Sequence, residues 1–411
     1  MAINKLQKNL AIKKLHTIFA INLLQMKTIT GSPARGERFF KRDNIRKQIL
    51  KAIENEENLL ISAPRRVGKT SILLDLIDNP DEKFYAVFQN TEAVDNPEQF
   101  FKLILQCILN ADQIEGFSHF SGKAKSKLLD WANKIAEISV AGFGVSLEKS
   151  EKLSYYEQLC NFLKDIKLDG KKIIMLIDEF PITIERIHEM HGVEIANRFL
   201  SQNRALRQDP VFQQKIKFIY TGSIGLFTAV KRINSTDKIN DLREITVPAL
   251  TREEAVRLIN ELSDEECKEI LPKEIVDYIL TKIEWWIPFY FQLMMREISN
   301  LLEDKHQLNE ALIDNAFVHI GENGNIYFEH FKSRLLKVFK DANHLGFVNE
   351  LLSTIKENGS LQHNEIVNLA SKYVVLPGLN DIMEILKHDG YLVEENKTYR
   401  FYSPILKTWW K

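Results

Sequence analysis

The sequence lacks the features that mark membrane, secreted and strongly charged proteins. Its formal net charge is −1 at pH 7 over 411 residues, so no bulk attraction to nucleic acid or to a membrane is expected, and any such surface would be a local patch. No apolar run approaches membrane-spanning length. Internal repeats and low-complexity tracts are also missing, and a chain of this length is expected to fold as two or three domains.

Cysteine is scarce. The three cysteines, Cys107, Cys160 and Cys267, lie far apart in apolar helical contexts and follow no metal-binding spacing. We therefore expect buried, reduced thiols rather than disulfides or a zinc site. This usage is typical of a cytoplasmic protein.

Acidic residues are missing from the start of the chain, where the first is Glu37. Lysines and a loosely amphipathic pattern of leucine and isoleucine precede it, without the uninterrupted apolar stretch and small-residue cleavage site of a secretory signal. We interpret residues 1–30 as a weakly ordered basic extension. A basic helix that binds a surface is the alternative interpretation.

One loop, set between an apolar run and a helical pattern, has the layout of a phosphate-binding loop. It reads Ala63-Pro64-Arg65-Arg66-Val67-Gly68-Lys69-Thr70-Ser71. In such a loop backbone N–H groups and a helix N-terminus surround the anion, Lys69 adds a positive charge and the Thr70 hydroxyl binds Mg²⁺. Ala63 replaces the usual first glycine, but Gly68, which lets the backbone approach the phosphates, is kept. The flanking elements disfavour the alternative, a chance Gly-Lys-Thr.

A pair of acids follows a second apolar run. Residues 173–177 are continuously apolar, which is typical of a strand buried on both faces of a parallel sheet. Asp178 and Glu179 come next, at the strand end where ligands bind in open parallel sheets. We expect Asp178 to hold the Mg²⁺ shell through water and Glu179 to polarise the attacking water. A strand that ends in solvated charges is the alternative.

A third apolar run, residues 216–220, ends in Thr221-Gly222-Ser223. A hydroxyl at this strand end can sense the γ-phosphate or hold the water, so Thr221 and Ser223 are candidate catalytic residues. An ordinary strand-to-loop turn around Gly222 is the alternative.

Four further polar residues are weaker candidates. Arg198, Arg204 and Arg207 lie on or just after a predicted helix, and any one is a candidate arginine finger for a neighbouring subunit. A solvated helix face is the alternative for each of them. Asn90, after the second predicted strand, is a candidate to modulate Glu179.

Together these residues resemble the AAA+ class of ATPases, and within it the archaeal-type ATPase family related to the STAND signalling NTPases. The matching segments are residues 38–43 upstream, 64–70 in the loop (Walker A), 177–181 around the acidic pair (Walker B) and 221–223. The resemblance covers the chain from about Gly31 to its end. It implies binding of ATP and Mg²⁺ and an ATPase activity with slow turnover.

The resemblance also implies contacts to the rest of the nucleotide. Phe40 and Arg42 would pack near the adenine, and Pro288 would lie at the nucleotide-facing turn of a helical lid. Two residues depart from the family pattern, because Lys41 replaces a glycine before Arg42 and Trp286 replaces the glycine of the lid's Gly-x-Pro. Exchange of nucleotide or lid closure is therefore expected to be tuned differently.

Strands separated by helices predict an α/β fold, a parallel P-loop AAA+ sheet with helices on both faces. We assign residues 31–248 to this ATPase domain, 249–330 to an all-helical lid and 331–411 to a C-terminal winged helix. The predicted winged helix ends in a hairpin with strands at 390–393 and 398–402. Residues 111–152 are interpreted as an insertion, with a hairpin or edge strand at 138–147.

These patterns favour a molecular switch that binds and hydrolyses ATP, whose nucleotide state controls lid and winged-helix contacts with a partner. It would oligomerise on binding ATP. An ATP-regulated DNA-binding protein of the initiator or transposition-regulator type is the alternative, although residues 331–411 carry only 11 Lys and Arg against 9 Asp and Glu. A nucleotide-gated scaffold without hydrolysis is the third candidate function.

The lid aromatics Trp285, Phe289, Tyr290 and Phe291 are expected to be core residues, with base stacking as the alternative.

Overall fold

The computed structural model describes residues 28–111, 154–168, 170–222, 225–266, 271–304 and 306–410. The predicted hairpin at 138–147, Ser223 and all but the last three residues of the basic extension lie outside them. The chain divides into two compact units. One consists of residues 42–63 and 72–247, and the other comprises the described residues up to 41 together with 64–71 and 248–410. The finer division into lid and winged helix stays a prediction.

The first unit is built on a five-stranded parallel sheet. Its strands are β1 (Asn58–Ser62), β2 (Phe84–Asn90), β3 (Lys172–Asp178), β4 (Ile216–Thr221) and β5 (Leu242–Thr246), in the spatial order β2-β3-β4-β1-β5. All four neighbouring pairs are parallel. Strands β3 and β4 are almost wholly buried, as their continuous apolar sequences predict.

One helix, α1 (Asp43–Glu54), precedes β1, and the others lie in the crossovers between the strands. They are α2 (Lys69–Asp78), α3 (Pro97–Leu109), α4 (Tyr155–Asp165), α5 (Phe180–His191), α6 (Val193–Gln208), α7 (Pro210–Gln213) and α8 (Leu226–Lys231). Right-handed crossovers place such helices on both faces of a parallel sheet. The predicted α/β class with a P-loop sheet is therefore confirmed.

Two element boundaries complete the sheet unit. Strand β5 ends at Thr246, two residues before Pro248, which has no N–H to donate to a ladder. Helix α5 follows the acidic pair at once, where the apolar pattern alone gave no clear helix. Its inward face contributes Phe180, which packs with its ring centroid 4.4 Å from that of Tyr220.

The second unit is mostly helical. Its helices are α9 (Arg252–Glu266), α10 (Lys273–Ile283), α11 (Pro288–Glu303), α12 (Glu310–Asn323), α13 (Asn325–Val338), α14 (Ala342–Asn358), α15 (His363–Lys372), α16 (Leu379–His388) and α17 (Pro404–Trp409). Strands β6 (Leu361–Gln362), β7 (Leu392–Glu395) and β8 (Thr398–Phe401) form an antiparallel sheet in the order β6-β8-β7. The sheet holds the predicted hairpin and one more short strand, β6.

Across the described residues, no helix is both long enough and apolar enough to cross a membrane.

The turn between β7 and β8 is shorter than the sequence suggests. It contains Asn396 and Lys397, with φ of 53° and 63°. Two left-handed residues are the signature of the tight hairpin turn that prefers Asn-Gly, because only glycine adopts this conformation without a steric cost.

We expect Lys397→Gly to raise the free energy of unfolding of the second unit by about 1 kcal/mol, since it relieves the left-handed strain of a residue with a Cβ. Urea denaturation measures this change. Lys397→Ala keeps the Cβ and is the matched control, with a change within about 0.5 kcal/mol. Equal effects of glycine and alanine would contradict the strain assignment.

Candidate functional site

The carboxyl ends of the central strands lie in one row. Ile61 of β1 is paired with Thr221 of β4, and one residue earlier Tyr220 is paired with Ile177 of β3. Asp178 is therefore in the row of Ile61 and Thr221. The segment that follows Ile61 is the loop with Gly68 and Lys69, so the register aligns the ends that carry the predicted motifs.

The strand order has a topological switch point between β1 and β4. The chain leaves β1 toward β2 on one side and leaves β4 toward β5 on the other. Right-handed crossovers send these two connections over opposite faces of the sheet. Such a switch point is where open parallel sheets bind ligands.

Asp178 is held in place by its neighbours. It is buried, and its Oδ1 accepts a hydrogen bond from Thr221 Oγ1 at 2.6 Å and another from the backbone N–H of Glu179 at 3.1 Å. Thr221 is fully buried. Its hydroxyl thus orients a carboxylate, a role that sequence reasoning missed because the partner lies 43 residues away. Its predicted contact with a γ-phosphate stays a prediction.

Glu179 is the single residue between β3 and α5, and it has a left-handed backbone with φ 59° and ψ 29°. A residue with a side chain in this region costs roughly 1–3 kcal/mol and is found where the surrounding structure fixes it. Such residues cluster at functional sites. The turn from strand to helix in one residue keeps Glu179 at the strand edge.

The predicted phosphate-binding loop contains two residues with positive φ. Gly68 has φ +105°, which a residue with a side chain rarely adopts, and Arg66 is left-handed at φ 67°. Helix α2 begins at Lys69, so its first N–H groups follow the loop directly. The Lys69 Nζ donates to the carbonyl oxygen of Pro64 at 3.1 Å, bridging the loop. Ala63 is buried, so a methyl group is accommodated where glycine was expected.

Residues 64–71 belong to the second unit. Two arginines of this loop, Arg65 and Arg66, interact with other residues of that unit. The Arg66 guanidinium lies 4.7 Å from the ring centroid of Phe289 and donates to the carbonyl oxygen of Thr30 at 3.5 Å. Burial, followed by the charges of Arg65 and Arg66, lowers the pKa of His330 to about 3. His330 is therefore neutral at physiological pH.

Pro64 of the loop meets the C-terminal part of the same unit. A Cβ added at Gly390 would lie 3.2 Å from Pro64 Cβ and 3.1 Å from the ring of Trp285. Gly390 precedes the hairpin and has φ +83°. A glycine is needed there both for this close approach and for its backbone conformation.

The residues expected near the adenine are placed as follows. Phe40 is buried, with the Arg257 guanidinium 4.6 Å from its ring centroid, and Arg42 is buried as well. Pro288 opens helix α11 at its first position, which suits a residue without an N–H. The aromatics Trp285, Phe289, Tyr290 and Phe291 are all buried, which supports the core interpretation.

The three candidate arginine fingers differ sharply in exposure. Arg207 is buried, and its Nε and Nη2 donate to the two carboxylate oxygens of Asp241, each at 2.8 Å. Arg204 donates to the carbonyl oxygen of Asp237 at 2.7 Å. Arg198 is exposed. The structure thus makes Arg207 a structural residue, and of the three only Arg198 has the exposure that reaching a neighbour requires.

Residues 46–222 match the model of a family described as predicted AAA-ATPase. No curated protein matches the chain.

Two solved archaeal structures share the fold over most of the chain. The Walker-type ATPase paby2304 of Pyrococcus abyssi is 19% identical, with a TM-score of 0.60 over 94% of this chain and 98% of that one. The ORC2 protein of Aeropyrum pernix, in its ADPNP–ADP complexes, is 11% identical, with a TM-score of 0.52 over 89% of each chain. The family model, together with the shared fold, confirms the resemblance to P-loop ATPases of the AAA+ class. At these identities the two structures bear on the fold alone.

We expect Arg207→Ala to lower the free energy of unfolding by about 3 kcal/mol, because it leaves the Asp241 carboxylate without its bidentate partner. Arg198→Ala, on the exposed part of the same helix, is the control and should stay within about 0.5 kcal/mol. Urea denaturation of the two variants checks this. Equal, small losses would contradict a structural role for Arg207.

We expect Glu179→Gly to unfold with a free energy about 1 kcal/mol higher than Glu179→Ala, since only glycine relaxes at a left-handed position. The same pair of substitutions at Glu185, within helix α5, is the control. There glycine should be the less stable by about 1 kcal/mol. If the glycine variant were less stable than the alanine variant at Glu179 as well as at Glu185, the backbone of Glu179 would not be left-handed in solution.

Proposed function

We propose that this chain, which resembles the archaeal-type P-loop ATPases of the AAA+ class, binds ATP with Mg²⁺ and hydrolyses it slowly to ADP and phosphate. One observation carries the proposal. Strands β1, β4 and β3 end in one row, with the Gly-Lys-Thr loop following the first, Thr221 closing the second and the acidic pair closing the third. Phosphate cradle, hydroxyl and carboxylates are the parts that phosphoryl transfer to water requires.

The loop is proposed to hold the phosphates. Backbone N–H groups of residues 63–71 and the first turn of α2 would surround them, with the Gly68 backbone approaching closely. Lys69 would place its charge next to the β- and γ-phosphates. Its hydrogen bond to the Pro64 carbonyl already holds the ammonium group over the loop. The Thr70 hydroxyl would be a ligand of Mg²⁺.

Asp178 is proposed to hold the Mg²⁺ shell through water. Among the described residues, no group of three or more His, Cys, Asp or Glu could bind a metal by itself. A magnesium ion at this edge would therefore take most of its ligands from the nucleotide and from water, as Mg²⁺ usually does. The hydrogen bond from Thr221 fixes the Asp178 carboxylate before any metal arrives.

Glu179 is proposed as the base that polarises the attacking water, with Thr221 and Ser223 at the next strand end assisting it. Its left-handed turn keeps it beside Asp178 at the strand edge. Phe40, Arg42 and Pro288 are proposed to line the adenine, as the family resemblance implies.

The switch function is supported by contacts inside the second unit. Pro64 of the loop lies against Gly390, where an added Cβ would be 3.2 Å from the Pro64 Cβ, and the Arg66 guanidinium lies over the ring of Phe289. A nucleotide that reshapes the loop would therefore act directly on the lid helix α11 and on the start of the terminal hairpin. The C-terminal region is proposed to pass this change to a partner, a protein or DNA, or to further copies of the chain.

We expect Lys69→Ala to abolish ATP binding, since the positive charge over the phosphates is lost. Glu179→Gln should keep the dissociation constant of ATP within about twofold of the wild type. It should lower kcat by a factor of about 10² or more, because the attacking water no longer has a base to polarise it. Calorimetric titration and a phosphate-release assay with Mg²⁺ measure both.

The matched controls are Lys47→Ala on the exposed side of α1 and Glu189→Gln late in α5, which should behave as wild type. Hydrolysis that survives in Lys69→Ala would refute the assignment of the loop. If both the wild type and Glu179→Gln bind ATP tightly and neither releases phosphate, the nucleotide-gated scaffold is favoured.

A further inference from the structure

Three fully buried threonines surround the peptide that joins Asp178 to Glu179. They are Thr91, directly after β2, Thr183 in the first turn of α5, and Thr221 at the end of β4. Thr221 binds the Asp178 side chain, whereas Thr91 and Thr183 act on the backbone. A buried hydroxyl is costly unless it is hydrogen-bonded, so three of them at one dipeptide need a reason.

Thr91 binds the last carbonyl of β3 twice. Its backbone N–H donates to the carbonyl oxygen of Asp178 at 2.9 Å, and its Oγ1 donates to the same oxygen at 3.0 Å. The β2–β3 ladder ends with the pair of Asn90 and Asp178. Thr91 therefore extends the hydrogen bonding between β2 and β3 by one residue, up to the peptide bond that joins Asp178 to Glu179.

Thr183 links this contact to helix α5. Its Oγ1 lies 2.8 Å from both the carbonyl oxygen and the Oγ1 of Thr91. The same hydroxyl is 3.5 Å from the carbonyl oxygen of Glu179. Since a hydroxyl has one proton, Thr183 donates to one of the Thr91 oxygens, and Thr91 in turn donates to Asp178.

Glu179 thus lies between two fixed carbonyls. The Asp178 carbonyl is bound by Thr91, and the Glu179 carbonyl accepts from the N–H groups of Ile182 at 3.1 Å and Thr183 at 3.2 Å. The left-handed backbone of Glu179 lies between these anchors. A valine would fill the volume of either threonine, so the hydroxyls serve for hydrogen bonding rather than for packing.

We propose that Thr91 and Thr183 are positioning residues, which hold the Asp178–Glu179 peptide so that the Glu179 carboxylate stays aimed from the strand edge at the attacking water. The inference rests on the proposed function, because it takes Glu179 as the base. Removal of the Thr183 hydroxyl frees one side of the turn, and a catalytic group that shifts by an ångström loses rate rather than affinity.

The test compares Thr183→Val, which deletes the hydroxyl, with Thr183→Ser, which keeps it. We expect Thr183→Val to lower kcat for ATP hydrolysis by roughly 10- to 100-fold, with KM and the dissociation constant of ATP within about twofold of the wild type. Thr183→Ser should recover most of the rate. Thr228→Val, in helix α8 of the same unit, is the matched control and should keep the wild-type rate.

Three results would overturn the proposal. One is an unchanged kcat in Thr183→Val. The second is an equal loss in the serine variant, which would show that the methyl group matters and not the hydroxyl. The third is a parallel loss of kcat, ATP affinity and melting temperature, the sign of a merely structural residue.

A second readout does not depend on hydrolysis. The Thr91 N–H donates to the Asp178 carbonyl, so its amide hydrogen exchange should speed up about tenfold or more in Thr183→Val and stay slow in Thr183→Ser. If the wild type fails to hydrolyse ATP, the proposed function fails, and this exchange rate alone decides on the positioning contact. Unchanged exchange in Thr183→Val would overturn it.

Discussion

The parallel register of β1, β4 and β3 is the constraint on which the candidate site depends. Its hydrogen bonds put Ile61, Thr221 and Asp178 in one row, so three segments far apart in sequence end at the same edge. A shift of one residue in any of these strands would turn its side chains to the opposite face. Because β3 and β4 are buried on both faces, the surrounding core holds that register tightly.

Polar groups at this edge are fixed before any ligand binds. The Asp178 carboxylate is held by Thr221, its carbonyl by Thr91, and Glu179 is confined to a left-handed turn. The left-handed backbone of Glu179 costs free energy through strain, and the buried hydroxyls would be costly without their hydrogen bonds. Preorganisation of this kind is useful in catalysis, because groups that are already oriented need no rearrangement during the reaction.

Much of this arrangement is readable from the sequence, and the reasons are local. The continuous apolar runs predict buried parallel strands, and Gly68-Lys69-Thr70 predicts the loop, since each pattern is set by neighbouring residues. Helix α3 begins at Pro97, directly after its capping residue Asn96, and this start signal is likewise carried by neighbouring residues. The resemblance carried by these motifs is confirmed.

The remainder depends on contacts that no local pattern encodes. The bond from Thr221 to Asp178 spans 43 residues and that from Thr183 to Thr91 spans 92. The bidentate pair that removes Arg207 from the candidate fingers spans 34. Strand β6 has only two residues, too few for a periodic signal, and the left-handed Glu179 stands where glycine would have been the natural expectation.

In the second unit, the loop that is proposed to hold phosphate also contacts helix α11 through Phe289 and lies against Gly390, two residues before the terminal hairpin. The central claim, that the loop after β1 is a site for Mg-ATP, is tested most directly by equilibrium titration of the wild-type protein with ATP, with and without Mg²⁺. The account predicts one ATP per chain, displaced by ADP and bound more tightly with Mg²⁺. Absence of saturable ATP binding under both conditions would contradict it.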